Sequence, residues 1–306
     1  MGKGLDLERL MEEIQKYHLE AKDFIKAEVN LLVLPFFSLE KRPALEPITV
    51  QFYNEGFLAR WKVSPNPEYG WPTPQDRIIH RALEHLLLKK RPLQREFPFS
   101  LYAIAKEARL KNDGRNIMRI KRSLIKVSAT MIESVKAYRY KQGDEIAYVE
   151  QHPFTLYEVY FRGEYYKGRL LRSHNLLVLH NAYFKALESS YTKPLDWDYY
   201  LTLSPTAQRL YELLGVKFYG MWLKREPLRF NYRTLCQLLP MRPQRYPSKA
   251  KERLEPAHQE LLKTDFLSEV EWEIDDGQIY LNYWPGARYW AEAQLSQNKE
   301  HKTRWL

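Results

Sequence analysis

Four cationic side chains recur at steps of four, three and four residues in the segment Gly114–Met131: Arg115, Arg119, Arg122 and Lys126. On a helix this spacing places them on one face. A row of cations on a rigid helix matches the charge and size of the phosphates that border a DNA groove. The alternative is an ordinary solvated helix face, which this segment alone would favour.

The same segment carries an apolar stripe with the same rhythm: Ile117, Ile120, Leu124, Val127 and Met131. At about 100° per residue the two stripes lie roughly 140° apart. The helix can therefore bury one face and present its cations on the other. Because the start of such a helix enters the groove deepest, we expect Arg115, Asn116 and Arg119 to face bases. Arg122 and Lys126 are expected to contact phosphates.

The elements around this basic helix predict a helix-turn-helix unit with a β wing. Thr73-Pro74 starts a helix that runs to about Lys90, and Ser100 precedes a short helix over Leu101–Leu110. After the basic helix, Ile132–Tyr140 and Ile146–Val149 flank a glycine-containing loop, as in a hairpin. This predicted wing carries Arg139 and Lys141.

The same order of elements recurs later in the chain. Ser204-Pro205 starts a helix toward Trp222, Asn231 can cap a second helix, and Ser248 can cap a third toward Lys263. Alternating residues between Val270 and Tyr283, around Asp275-Asp276-Gly277, predict a hairpin. The cations expected to contact DNA in this unit are Arg242, Arg245, Lys249 and Arg253. Pro256 is expected to kink or split the third helix.

The predicted fold is therefore α+β, with two tandem winged-helix domains and an N-terminal helix. We expect an N-terminal helix within residues 1–30, a first winged-helix domain with added strands at 31–190, a second at 191–290, and a basic polar tail at 291–306 that is loosely ordered. Apolar residues from Leu7 to Phe24 form a heptad stripe. It predicts either a dimerisation helix or a helix packed on its own domain, and the sequence favours the two equally.

Composition favours a polyanionic partner, because the formal net charge is +10 and the sequence pI about 9.3. Nucleic acid is the first candidate and a membrane surface the second. No stretch approaches the ~20 apolar residues that span a bilayer. Cys236 is the only cysteine, which excludes an internal disulfide and is typical of a small core residue. With no apolar signal segment near the start, we expect a cytoplasmic protein.

The sequence offers little for catalysis. It lacks a glycine-rich phosphate loop ending in Gly-Lys-Ser/Thr, and its histidines include no pair flanking one apolar residue that could hold a metal beside a tyrosine nucleophile. Tyr165-Tyr166 and Tyr199-Tyr200 are interpreted as packing aromatics. We therefore expect no enzymatic activity, no cofactor and no metal site.

Five motifs resemble those of plasmid replication initiator proteins of the replication initiator protein A type. In order they are Leu34–Leu39 (LPFFSL), Trp71–Arg77 (WPTPQDR), Gly114-Arg115-Asn116 with the helix to Leu124, Lys193–Asp196 (KPLD) and Arg209-Leu210-Tyr211. The resemblance extends over about Leu31–Tyr283. The chain departs from the family pattern at Pro256, and the resemblance reaches neither the N-terminal helix nor the tail.

The resemblance implies two winged-helix domains that bind repeated sites (iterons) in a plasmid origin as double-stranded DNA. It also implies opening of the adjacent duplex and recruitment of host replication proteins such as the helicase or its loader. Some members form homodimers and repress their own gene.

Three other classes remain. A tandem winged-helix transcriptional regulator would share the DNA-reading surface but bind an inverted repeat over a promoter. A nicking nuclease would relax supercoiled DNA with magnesium or manganese. A structural scaffold would have no DNA role, and the surplus of positive charge argues against it.

Overall fold

The computed structural model describes residues 7–41, 43–54, 56–161, 164–166, 169–172, 174–219 and 226–300. The chain is α+β, as predicted, and divides into two compact units. The middle unit is Lys26–Lys193, and the split unit combines Met1–Ile25 with Pro194–Leu306. Among the described residues no helix combines the length and the apolar character that crossing a bilayer requires.

The chain begins with short elements: α1 Leu7–Gln15, β1 Phe24–Glu28, α2 Val29–Val33, β2 Ile48–Asn54 and β3 Phe57–Ser64. The heptad stripe expected from Leu7 to Phe24 is α-helical only as far as Gln15, where α1 ends. Ile25 and Ala27 are buried on either side of exposed Lys26, and this period of two suits a strand rather than a helix.

The middle unit continues with α3 Pro74–Lys89, β4 Glu96–Phe99, α4 Leu101–Glu107, α5 Gly114–Ser128, β5 Met131–Gln142 and β6 Glu145–Phe154. Thr73 caps α3 as predicted: its hydroxyl accepts from the Asp76 N–H, and the Asp76 carboxylate accepts from the Thr73 N–H at 2.7 Å. Strands β2, β3, β5 and β6 form one antiparallel sheet in the order β2-β3-β5-β6.

After β6 come β7 Tyr157–Tyr160, β8 Glu164–Tyr166, β9 Arg169–Arg172, β10 Asn175–Leu179, α6 Asn181–Glu188, β11 Thr192–Asp196 and α7 Trp197–Thr202. Strands β4, β10 and β7 form a second antiparallel sheet in that order. Leu176, Leu177 and Leu179 of β10 are buried, and α6 begins two residues after this strand ends.

The split unit contains α8 Pro205–Lys217, β12 Leu228–Asn231, α9 Tyr232–Leu238, α10 Pro247–Lys263, β13 Leu267–Asp275, β14 Gln278–Pro285 and α11 Ala287–Glu300. Its sheet has the order β12-β14-β13. Helix α8 ends at Lys217, before the predicted Trp222, which lies outside the described residues. Cys236 lies in the core of this unit, as predicted.

Two further expectations for the split unit are wrong, and a third is wrong in part. Tyr246 rather than Ser248 precedes α10, because Pro247 occupies the first helical position. Helix α10 is not split at Pro256; this residue is exposed, so the carbonyl that loses its partner can face water. The predicted loose tail is helical to Glu300, since Ala287, Tyr289 and Trp290 pack into the core. Residues 301–306 lie outside the described part of the chain.

The two units share one sheet topology. In each, a helix is followed by a short strand that pairs with the last strand of the unit's three-stranded sheet: β4 with β10, and β12 with β14. The counterpart of the β13–β14 hairpin is therefore the pair β7 and β10. The β5–β6 hairpin, predicted to be the wing, instead belongs to the four-stranded sheet, because β3 pairs with β5 along Arg60–Ser64.

Candidate nucleic-acid interface

Helix α5 starts from a cap that fixes its first turn at the surface. The Asp113 carboxylate accepts from the Asn116 N–H at 2.8 Å. The Asn116 side-chain amide donates to the Lys111 carbonyl at 2.9 Å, so this predicted base contact is already used to close the turn. The apolar stripe is buried at Ile120, Leu124 and Val127.

The opposite face of α5 presents three arginines, Arg115, Arg119 and Arg122, and all three are exposed. No carboxylate in the described parts of the chain lies within ion-pair distance of their guanidinium groups. Three unpaired cations on one rigid face raise the local positive potential, and an approaching polyanion would meet them without displacing an internal partner.

Met118 lies on the same face and was not singled out from the sequence. Its side chain is 48% exposed between Arg115 and Arg122. An apolar side chain among exposed cations is of the kind that can contact a thymine methyl group in a DNA groove. The signal was present in the helical period, since position 118 shares the face of positions 115 and 122.

Lys126, the fourth predicted cation, is held inside the unit. Its ammonium lies 3.0 Å from the Asp76 carboxylate, and the two side chains are 22% and 7% exposed. Because Asp76 also belongs to the cap of α3, this ion pair ties the end of α5 to the start of α3. Lys126 therefore has a structural role that the spacing of the cations did not reveal.

The two predicted wing cations, Arg139 and Lys141, lie on a strand whose backbone is anchored. The Asn30 side chain bonds both the N–H and the carbonyl of Arg139 at 2.8 Å, and the Lys141 N–H donates to the Ser189 hydroxyl at 3.1 Å. The Arg139 guanidinium lies over the Tyr148 ring, 5.5 Å from its centroid. The two residues lie on the β5–β6 hairpin, as predicted, and this end of β5 is fastened to α2 and to the end of α6.

In the split unit, α10 packs on α8 and occupies the position that α5 has in the middle unit. Arg242 and Arg245 are exposed in the loop before α10, and Arg253 is half-buried. Lys249 pairs with Glu252 at 2.6 Å on the surface. A pair this exposed is weak and solvent-screened, so Lys249 remains accessible to an anion.

The β13–β14 hairpin carries acidic side chains along one face of β13: Glu269, Glu271, Glu273 and Asp275. Arg229 on β12 binds two of them, with guanidinium–carboxylate distances of 3.1 Å to Glu273 and 3.0 Å to Asp275. This acidic face was not anticipated from the sequence, although the alternation of acidic residues with Val270, Trp272 and Ile274 shows it.

The fold is thus that of an α+β protein whose two units repeat one order of helices and strands. Each has a basic segment at the third helix of the repeated set, α5 in one unit and α10 with its preceding loop in the other. The family model of replication initiator protein A matches residues 26–221, and the chain belongs to this family of replication initiators. This confirms the resemblance read from the motifs.

Solved structures of domains 2 and 3 of RctB are similar to the chain. A selenomethionine derivative has a TM-score of 0.52 and 13% sequence identity, and the match covers 85% of this chain and 98% of that one. A second RctB structure has a TM-score of 0.47 and 13% identity, covering 88% and 99%. At this identity the first likeness describes the fold alone. A comparison with curated proteins found no significant match.

Proposed function

We propose that this protein initiates plasmid replication by binding repeated sites in the plasmid origin as double-stranded DNA. The two units act as tandem winged-helix domains, with α5 and α10 as recognition helices. The observation that carries the proposal is the exposed face of α5, where Arg115, Arg119 and Arg122 lack carboxylate partners among the described residues. Membership in the replication initiator protein A family supplies the context of replication.

The proposal includes the later steps of initiation. The bound protein opens the adjacent duplex and recruits host replication proteins, the helicase or its loader. It forms a homodimer in one of its states and represses its own gene. The protein carries out all of these steps by binding alone, without catalysis, cofactor or metal.

The first test is fluorescence anisotropy with the origin fragment of the plasmid that encodes the protein and a shuffled fragment, over a range of salt concentrations. We expect an origin preference of about 10³ or more, with a steep salt dependence. Arg115→Ala should lower the preference by about 1–3 kcal/mol, because it removes a contact to a base edge. Arg122→Ala should weaken binding to both fragments alike.

Equal, weak binding of the wild type to both fragments would contradict the proposal. A promoter fragment with an inverted repeat provides a further comparison. Preference for that fragment over the direct repeats of the origin would favour a transcriptional regulator instead.

A further inference from the structure

The split unit contains a polar cavity of about 250 Å³ beside the start of α10. It lies between the start of α9, the loop that precedes α10 and the turn of the β13–β14 hairpin. Its polar lining includes Asn231, Arg233, Gln244, Arg245 and Gln278. None of these positions except Arg245 was singled out from the sequence as a DNA contact.

The cavity carries positive charge and no negative charge in its lining. Arg233 is exposed, and no carboxylate of the described residues pairs with it. The Arg245 guanidinium lies over the Tyr246 ring, 5.6 Å from its centroid. Burial raises the pKa of Tyr232, which also lines the cavity, to about 12, so this phenol stays neutral. Two guanidinium groups at one polar cavity are suited to an anion.

The walls of the cavity are fixed by hydrogen bonds. The Asn231 amide donates to the Gln278 side-chain oxygen at 2.6 Å and so links β12 to the hairpin turn. The Gln244 N–H donates to the Tyr232 hydroxyl at 3.0 Å and links the loop to α9. Because these bonds exist within the unit, an incoming anion would meet groups that are already positioned.

The carboxylates of the neighbouring hairpin do not pair with these two arginines. Asp276, which lies in the turn beside Gly277, forms no ion pair with Arg233 or Arg245. Asp275, which pairs with Gln278 across the turn, is bound by Arg229 at 3.0 Å, and so is Glu273. Glu269 and Glu271 lie opposite Trp284 and Asn282, farther along the hairpin from its turn. The arginines of this region thus fall into two groups: Arg229 is matched by carboxylates, whereas Arg233 and Arg245 face the cavity.

We propose that this cavity binds a phosphodiester group of DNA and that Arg233 and Arg245 hold it. The inference rests on the proposed function: Arg245 stands two residues before α10, so DNA lying on the start of α10 brings its backbone to the cavity. The contact positions the split unit on DNA and reads no sequence.

The test compares Arg233→Gln with Lys263→Gln in the full-length protein. Lys263 is an exposed cation of the same unit at the far end of α10, so this control removes one positive charge away from the cavity. Arg233→Gln should weaken binding to the origin and shuffled fragments alike, by about 5- to 10-fold, and reduce the log–log salt slope by about 1. The double variant with Arg245→Gln should reduce the slope by about 2. Lys263→Gln should leave affinity and slope unchanged, and circular dichroism should show all variants folded.

Two outcomes separate this inference from the proposed function. If Arg233→Gln binds DNA with the affinity and salt slope of the wild type, and origin preference is intact, the inference is overturned and the proposed function stands. Absence of origin preference in the wild type would overturn the proposed function. A titration with inorganic phosphate at constant ionic strength, followed by the NMR signals of the Gln244 and Gln278 amides, tests whether the cavity is a small-anion site. If these signals shift saturably while Arg233→Gln binds DNA as the wild type does, the assignment to DNA is overturned.

Discussion

At the scale of single residues, burial decides what a cation on α5 does. Arg122 and Lys126 lie one turn apart in the same row, yet Arg122 is exposed while the Lys126 ammonium is bound to Asp76. The spacing of four residues is a property of the sequence and could be predicted. The partner, 50 residues earlier in the chain, depends on how α3 packs on α5 and could not.

Replacing Lys126 should therefore affect stability. Lys126→Met keeps the apolar part of the side chain but leaves the nearly buried Asp76 carboxylate without its counter-charge. We expect the free energy of unfolding to fall by about 1–2 kcal/mol in urea titrations. Arg122→Met, which removes an exposed cation, is the control and should change stability by less than about 0.5 kcal/mol. Equal stability of the two variants would contradict a structural role for Lys126.

At the scale of elements, the helices were predicted better than the strand pairing. Thr73 and Asn231 cap helices as expected, because capping depends on neighbouring residues. Strands β4 and β12, of four residues each, were missed, although Phe97 and Phe99 alternate with exposed residues. The wing was assigned to β5–β6 because these strands are adjacent in sequence, whereas β7 and β10 are the counterpart of the β13–β14 hairpin. Pairing between strands that are distant in sequence leaves no local signal.

The junction of β14 and α11 depends on a glycine. A Cβ atom at Gly286 would lie 2.0 Å from the Asp265 carbonyl oxygen, which is a backbone atom and cannot rotate away. Gly286→Ala should lower the free energy of unfolding by more than about 2 kcal/mol in urea titrations. Gly114→Ala is the matched control, because a Cβ at the start of α5 meets nothing within 4 Å. That variant should be neutral or stabilised by about 0.5 kcal/mol. Similar losses in both variants would argue against this close approach.

At the scale of the whole molecule, the two units should respond differently to acid. Burial lowers the pKa of His258 in α10 to about 4. Between pH 6.5 and 4 the unfolded chain therefore binds the proton more tightly, and the split unit loses stability as the pH falls. In the middle unit the pKa shifts have opposite effects on stability as the pH falls. Burial and nearby Glu84 raise the pKa of Glu28 to about 8, whereas burial lowers the pKa of His85 and His180.

We expect the split unit to lose about 2 kcal/mol from His258 between pH 7 and pH 5. The indole signals of Trp272 and Trp290 report on this unit during urea titration, and those of Trp61 and Trp71 report on the middle unit. His258→Gln can keep a hydrogen bond to the Tyr283 hydroxyl, which lies 3.0 Å from the histidine ring, and should remove most of the pH effect. An unchanged pH effect in this variant would assign the acid sensitivity to other groups.

The split unit also constrains the order in which the protein can form on the ribosome. Helix α1 packs against α11, and about 270 residues of chain separate them. At roughly 5–20 residues per second, α1 is synthesised roughly 15–55 s before its partner. The middle unit, encoded between the two halves, can finish folding in that interval. The split unit must assemble last, from a leading segment that has waited for the trailing one.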